Sequence, residues 1–264
     1  MAMTSFRPEE HGFAFVNSFT FDQGEHAEIR QTLAAPVAQQ SAAVGESGNF
    51  FSGIGDFLSN SVFKQLEHWI DEALPDYYGL CGGMAFTAAD YYRAGKPLPR
   101  GKDYYDIPQG NDPYQRALRD HLWTRQLQSL RENAPILINW MFMLHMPFGG
   151  TDWLLDRTRE EWEKLKVHLN QDDPWPICLI GSSTSPFNNH QVLAIGYEDP
   201  GDGTGTLYVY DMNGPGCDQT ITLDMRGKEL VAIESCPNAE RGNLRGFFVE
   251  HYTPASPVDL PEQE

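Results

Sequence analysis

The chain has few cysteines, and their spacing excludes the sites that cysteines most often build. Its 264 residues contain four of them, far apart and without a CxxC pair: Cys81, Cys178, Cys217 and Cys236. Short CxxC spacings are typical of zinc sites, and densely spaced cysteines are typical of disulfide-stapled domains. We therefore predict no metal and no cofactor, and only a Cys217–Cys236 bridge stays open as a disulfide.

Positive charge is also scarce. Lysine and arginine number 19 against 37 aspartates and glutamates, which gives a formal net charge of −18 at pH 7. This charge argues against binding to nucleic acid and to anionic membrane surfaces, because both would be repelled. It would attract a basic substrate or partner, although acidic residues spread along the whole chain favour simple solubility.

No long, unbroken apolar run is present. Residues 134–151 carry no charge, but Pro135, Pro147 and two glycines interrupt them, so we predict no membrane span. The Trp and Met residues of this stretch are expected to lie in the core. The N-terminus lacks the basic and apolar regions of a secretory signal, which makes a cytoplasmic location the default expectation and leaves non-classical export open.

The pattern of elements predicts an α+β protein with one main domain. We expect residues 1–48 to form an N-terminal strand, at 12–22, and an Ala/Gln/Ser-rich connector from residue 32. The main domain is predicted at 49–255, with a helical insertion at about 113–170, and residues 256–264 form an acidic tail. Helices are predicted at 61–73, 113–133 and 152–169. Strands are predicted at 177–181, 190–198, 206–212, 219–225, 229–234 and 245–252. A helical half thus precedes an antiparallel half, with the site expected between them.

Cys81 is predicted to begin a helix. Apolar residues follow it at helical spacing, and Gly95 with Pro97 provides the stop: Met84, Ala85, Ala88 and Tyr92. The free backbone N–H groups of a helix start stabilise an anion such as a thiolate. Gly82 and Gly83 are poor helix formers, so we expect a backbone or a substrate to approach closely beside the thiol.

His190 is predicted to begin a strand. Alternation places Val192 and Ala194 on its face, and these small side chains would let the Cys81 helix lie flat against that face. The next strand, from Leu207, ends with Asp211 and Asn213 on one face. Either side chain could hydrogen-bond the far imidazole nitrogen and fix its tautomer.

Each of these residues alone has an ordinary explanation as a buried cysteine, a core histidine or a turn aspartate. Their order changes the balance. A helix-start cysteine, a strand histidine about 110 residues later and a strand-end aspartate about 20 further on favour a catalytic arrangement.

The segments around these residues resemble papain-like cysteine peptidases. His190–Tyr197, followed by Leu207–Asp211, is similar to the histidine and asparagine/aspartate strands of that family. The sequence Gly-Leu-Cys-Gly-Gly-Met-Ala-Phe at 79–86 resembles a group of bacterial papain-fold proteins. The similarity covers roughly residues 77–95 and 177–225. It implies a papain-like catalytic domain with Cys81 as nucleophile, His190 as general base and Asp211 as orienting residue, Asn213 being the substitute.

One feature departs from the family. Papain-like enzymes generally supply an oxyanion-hole glutamine shortly before the nucleophile, and residues 74–78 contain no amide side chain. The backbone N–H of Cys81 is one donor, and the second is left open among Tyr78, Asn188 and Asn189.

The sequence therefore predicts a cysteine-dependent hydrolase that forms a thioester acyl-enzyme, with a peptidase acting on peptides or proteins as the favoured activity. A cysteine acyltransferase, a transglutaminase-like enzyme or a deamidase would use the same triad. A non-catalytic binding protein on this fold is the third alternative. The oligomeric state is not predicted.

Overall fold

The computed structural model describes residues 1–46, 77–146, 149–183, 185–215, 219–237 and 241–262. Within these ranges the helices are α1 (Pro8–His11), α2 (Gln23–Glu46), α3 (Cys81–Arg93), α4 (Pro113–Leu144) and α5 (Gly150–Leu169). The strands are β1 (Ala2–Met3), β2 (Phe19–Thr20), β3 (Tyr77–Tyr78), β4 (Trp175–Gly181), β5 (His190–Glu198), β6 (Thr204–Tyr210), β7 (Gln219–Asp224), β8 (Val231–Glu234) and β9 (Leu244–Val249). The α+β prediction is confirmed.

The main sheet is antiparallel and curls into a half-barrel with the strand order β8-β7-β6-β5-β4-β9. The strand β1 pairs with β5 as well. Strand β5 lies between β4 and β6. Its first residue, His190, is paired with Leu179 of β4. Its neighbour β6 ends at Tyr210, so Asp211 leaves the sheet close to the start of β5.

The two faces of the sheet carry separate cores. Helices α3 and α4 pack on the face that includes Leu193 and Ile195. Helix α5 packs on the other face, which includes Val192 and Ala194. The prediction that the Cys81 helix covers the His190 face was therefore wrong. Close packing is achieved instead by small residues of α3 itself, so the strand can present its larger aliphatic side chains to that helix.

Most element predictions in the second half of the chain are confirmed, and those near the N-terminus are not. The strands follow the predicted ranges to within three residues, and α5 begins two residues before its predicted start. The expected connector from residue 32 is helical as far as the described residues reach, because Ile29 and Leu33 bury an apolar stripe of α2 in the core. The strand expected at 12–22 is limited to β2. The helix predicted at 61–73 lies outside the described residues.

Helix α4 continues eleven residues beyond the predicted 113–133. It passes through Pro135, two residues beyond the predicted end. Burial of Trp140, Met141 and Phe142 stabilises the extension, and it confirms the expectation that this apolar stretch is core. None of the described helices combines the length and apolar character that a membrane span requires.

The C-terminal segment fixes the position of α3. Asp90, buried on α3, makes an ion pair with Arg125 of α4 at 2.9 Å. The same carboxylate accepts a hydrogen bond from the Tyr252 hydroxyl at 2.6 Å and one from the Ala255 backbone N–H at 2.9 Å. Tyr91 donates to the carbonyl of Val258 within the predicted acidic tail. Residues 252–258 therefore hold the helix that begins with Cys81.

Candidate active site

Cys81 is the first residue of α3, as predicted, and only 5% of its surface is exposed. The two glycines after it are required by close neighbours. A Cβ on Gly83 would lie 2.2 Å from the carbonyl oxygen of Leu122 on α4, and one on Gly82 would lie 2.2 Å from the side-chain oxygen of Gln191. The close approach expected at this point is confirmed, and a helix backbone and an amide side chain provide it.

His190 lies between Cys81 and Asp211. Its Nε2 atom is 2.7 Å from Asp211 Oδ1, and both side chains are largely buried. The Cys81 side chain is close enough to the ring to contribute to the raised pKa of His190. Because Nε2 faces Asp211, Nδ1 is the nitrogen that faces the thiol. The structure thus brings together the three residues that the sequence singled out.

The electrostatics of the three residues favour a charged imidazole. Burial would lower the pKa of His190, but the charge and hydrogen bond of Asp211, together with the contact to Cys81, raise it to about 10. Burial would raise the pKa of Asp211, but the charge of His190 and hydrogen bonds from His190 and the Asn213 N–H lower it. An imidazolium held between a carboxylate and a thiol is the partner that a thiolate needs.

Asn213, the proposed substitute for Asp211, does not take that position. Its backbone N–H donates to Asp211 Oδ1 at 2.8 Å, and its side-chain oxygen accepts from Asn17 Nδ2 at 2.9 Å. Asn213 therefore contacts the carboxylate through its backbone, and Asp211 is the residue whose side chain contacts His190.

The predicted second oxyanion donors are poorly placed for that role. Both side-chain hydrogens of Asn189 are used, by Pro186 O and by Met141 Sδ, and its oxygen accepts from the Gly181 N–H. Asn188 donates to Ser183 Oγ at 2.9 Å. These two amides hold the β4–β5 connection because its backbone groups need partners. The side chain of Tyr78 lies outside what the structure describes.

Asn17 is a site residue that the sequence did not reveal. Its backbone N–H donates to the carbonyl of Met212, and its amide group donates to Asn213. The same amide contacts Gly79, where a Cβ would lie 2.1 Å from Asn17 Nδ2. Asn17 thus connects the segment before Cys81 with the segment after Asp211. A single asparagine 64 positions before Cys81 carries no pattern that could have indicated this.

Gln191 is the second residue that the sequence reasoning missed. Its oxygen accepts from the Cys81 thiol, with Sγ and Oε1 3.7 Å apart. Its Nε2 atom donates to Glu250 Oε1 at 2.5 Å and to Ser129 Oγ. Burial raises the pKa of Glu250 to about 8, in spite of the lowering effect of its hydrogen bond with Gln191. The alternation of residues along β5 predicts that Gln191 and His190 point to opposite faces of the strand. It does not predict that the Gln191 side chain contacts Cys81.

A narrow cavity of about 30 Å³ lies beside the thiol on the side of Gln191. Cys81, Gln191 and Glu250 line one part of it, and apolar side chains line the rest, among them Ile29, Leu33, Leu137 and Phe248. Such a lining favours an apolar group next to the nucleophile.

Among the described residues, no group of three histidine, cysteine or acidic side chains converges in a way that could hold a metal ion. Cys217 lies outside the described residues, so the structure does not describe a Cys217–Cys236 bridge. Comparisons of this chain with protein-family models, with curated proteins and with solved structures find no match.

Proposed function

We propose that this protein is a cysteine-dependent hydrolase, most simply a peptidase, that acts through a thioester acyl-enzyme. The observation that carries the proposal is the buried row Cys81–His190–Asp211. It combines a thiol at a helix start, an imidazolium beside it and a carboxylate 2.7 Å from the far ring nitrogen. Nucleophile, base and orienting group in contact are the signature of covalent catalysis.

Each group has a defined chemical step. In the reactive pair His190 already holds the thiol proton as part of its imidazolium, so Cys81 reacts as a thiolate, and its Sγ forms a bond to the substrate carbonyl carbon as the electron pair of the C=O bond moves to the oxygen. His190 returns the proton to the leaving nitrogen as the C–N bond breaks, which leaves a thioester on Cys81. His190 then takes a proton from a water molecule while the oxygen of that water attacks the thioester carbon. The C–S bond breaks, and the carboxylic acid leaves.

The developing oxyanion needs donors. The backbone N–H of Cys81 has no partner within the helix, because it belongs to the first turn. The Asn17 amide contacts Gly79 in the segment that precedes Cys81, and only one of its two hydrogens is needed for Asn213. It is our candidate for the second donor, in place of the glutamine that papain-like enzymes use.

We further propose a papain-like architecture. A nucleophile helix packs against an antiparallel half-barrel, the histidine begins its central strand, and the aspartate follows the neighbouring strand. This order and placement support the family resemblance seen in the sequence. An acyltransferase, a transglutaminase-like enzyme or a deamidase would use the same three residues with a different acceptor or leaving group.

The deciding experiment is alkylation of the purified protein with iodoacetamide between pH 5 and 9, followed by mass spectrometry. We expect selective modification of Cys81 at neutral pH, and a rate that falls at least tenfold in the His190→Ala variant. Equal rates in both proteins, or modification of other cysteines in preference to Cys81, would favour a binding protein over an enzyme.

Fluorogenic peptide amides then distinguish among the enzymes. Release of the fluorophore in water alone indicates a hydrolase. Incorporation of an added primary amine into the peptide indicates an acyltransferase, and loss of ammonia from a glutamine side chain indicates a deamidase.

A further inference from the structure

The Gln191 side chain, with Ser129 and Glu250 behind it, forms a buried polar group in contact with the nucleophile. The thiol donates to Gln191 Oε1, and Nε2 of the same amide donates to Ser129 and Glu250. Gln191 and Glu250 are 7% and 2% exposed, and Ser129 is fully buried. This arrangement suits Cys81 only while it is a protonated thiol, because an amide oxygen repels a thiolate.

Rotation of the amide by half a turn about its Cγ–Cδ bond exchanges the two ends in nearly the same volume. Nε2 would then donate to the sulfur, and Oε1 would need donors on its other side. The Ser129 hydroxyl can be one of them. Glu250 can be the other only when it is protonated, because a carboxylate accepts hydrogen bonds and a carboxylic acid also donates one.

We propose that Gln191 is a catalytic residue that donates a hydrogen bond to the Cys81 thiolate, and that Ser129 and a protonated Glu250 hold its amide in the donating orientation. This inference rests on the proposed function. The thiol proton goes to His190, and Glu250 keeps its own proton throughout.

The environment of Glu250 supports its neutral form. Burial raises its pKa to about 8, so it carries its proton at neutral pH. The charged or titratable groups that act on it are Glu132 on α4, His190 on β5, and Cys178 on β4. Its second oxygen, Oε2, is buried without a hydrogen-bond partner among the described residues. An unpaired buried carboxylate would be costly, whereas a neutral acid is tolerated.

Gly82 provides independent support. A Cβ at that position would lie 2.2 Å from Gln191 Oε1 and 2.6 Å from Ser129 Oγ. A glycine directly after the nucleophile, in a helix, leaves room for this amide and hydroxyl. The poor helix propensity of Gly82 is thus accounted for by the amide that reaches the sulfur.

The test is the pH dependence of Cys81 alkylation by iodoacetamide in three variants. The acidic limb of this profile reports the pH at which the thiolate forms. Gln191→Met keeps the length of the side chain and removes the amide, and we expect it to move the limb upward by about one pH unit, the usual effect of losing one hydrogen bond to a charged group. Ser129→Ala removes one supporting donor, and we expect a smaller shift in the same direction.

Glu250→Gln is the matched control, because its amide can donate to Gln191 Oε1 just as the carboxylic acid would in the proposed orientation. We expect its acidic limb to stay within about 0.3 pH units of wild type. If Gln191→Met does not fold, the Ser129→Ala shift decides the question. An unchanged limb in Gln191→Met, or in Ser129→Ala where that variant decides, overturns the role of Gln191. If the wild-type profile already matches that of His190→Ala, the proposed function fails first, so the two failures can be told apart.

Discussion

Replacement of Asp211 by alanine is the sharpest test of the triad. In the wild-type protein the carboxylate lies 2.7 Å from His190 Nε2, and the exposed fractions of the two side chains are 5% for His190 and 13% for Asp211. Solvent therefore screens their interaction little. Alanine would remove both the charge that stabilises the imidazolium and the acceptor that fixes the ring.

The expected loss of turnover can be estimated from a comparable catalytic triad. Removing the orienting aspartate of a comparable triad lowers turnover by about 10⁴-fold. This corresponds to about 5 kcal/mol of transition-state stabilisation, at 1.36 kcal/mol for each factor of ten. Asp211→Asn lacks the charge and can offer its NH₂ group to the ring, which favours the wrong tautomer of His190, so we expect its loss of turnover to be of the same order, about 10⁴-fold.

The assay is hydrolysis of the best fluorogenic peptide amide, with thermal unfolding as the check on folding. Asn213→Ala is the comparison variant: it keeps the backbone N–H that Asp211 accepts and removes the side-chain contact with Asn17, so we expect a smaller loss than in Asp211→Ala. A severe loss in Asn213→Ala together with a mild one in Asp211→Ala would refute the assignment and exchange the roles of the two residues.

The sequence predicted the parts of the site that depend on local patterns. Helical periodicity after Cys81 located the start of α3, and alternation from His190 located β5, because each signal lies within about ten residues. The strand-end position of Asp211 followed in the same way. These patterns were enough to predict that the three residues would meet, once a helical half packs on an antiparallel half.

The parts that the sequence did not predict depend on contacts between distant segments. Asn17 reaches Gly79 and Asn213 from the N-terminus, and Gln191 meets Ser129 and Glu250 from three different elements. Sequence periodicity does not predict contacts between residues that are distant in the chain. The face of the sheet that α3 covers was also predicted wrongly, because small side chains on a strand and small residues on a helix permit close packing equally well. The helical course of residues 32–46 was missed because polar composition suggested a connector, while tertiary burial of Ile29 and Leu33 holds α2 in place.

Four further variants extend these tests. Cys81→Ser is expected to abolish hydrolysis, and full activity in this variant would rule out the mechanism. Cys178→Ala changes a buried strand residue. We expect it to keep activity and to lower the free energy of unfolding by about 1 kcal/mol. Asn17→Asp replaces a hydrogen-bond donor by an acceptor, so we expect the rate of hydrolysis to fall by about 10²-fold. Alkylation forms no oxyanion, so its rate is expected to stay within twofold of wild type. A parallel fall in both rates would indicate a structural role for Asn17 instead. His190→Gln tests the charged imidazole through stability. The pKa of His190 is raised to about 10 in the folded protein, above its value of about 6.5 when unfolded, so the stability that the charged ring contributes is fully present below pH 6.5 and is lost as the pH rises through 10. The urea midpoint of wild type is therefore expected to exceed that of His190→Gln by an amount that shrinks steadily over this range. Because His190 also lowers the pKa of Glu250, both proteins are compared in a Glu250→Gln background, where a difference that does not change with pH would show that the ring is neutral in the folded protein.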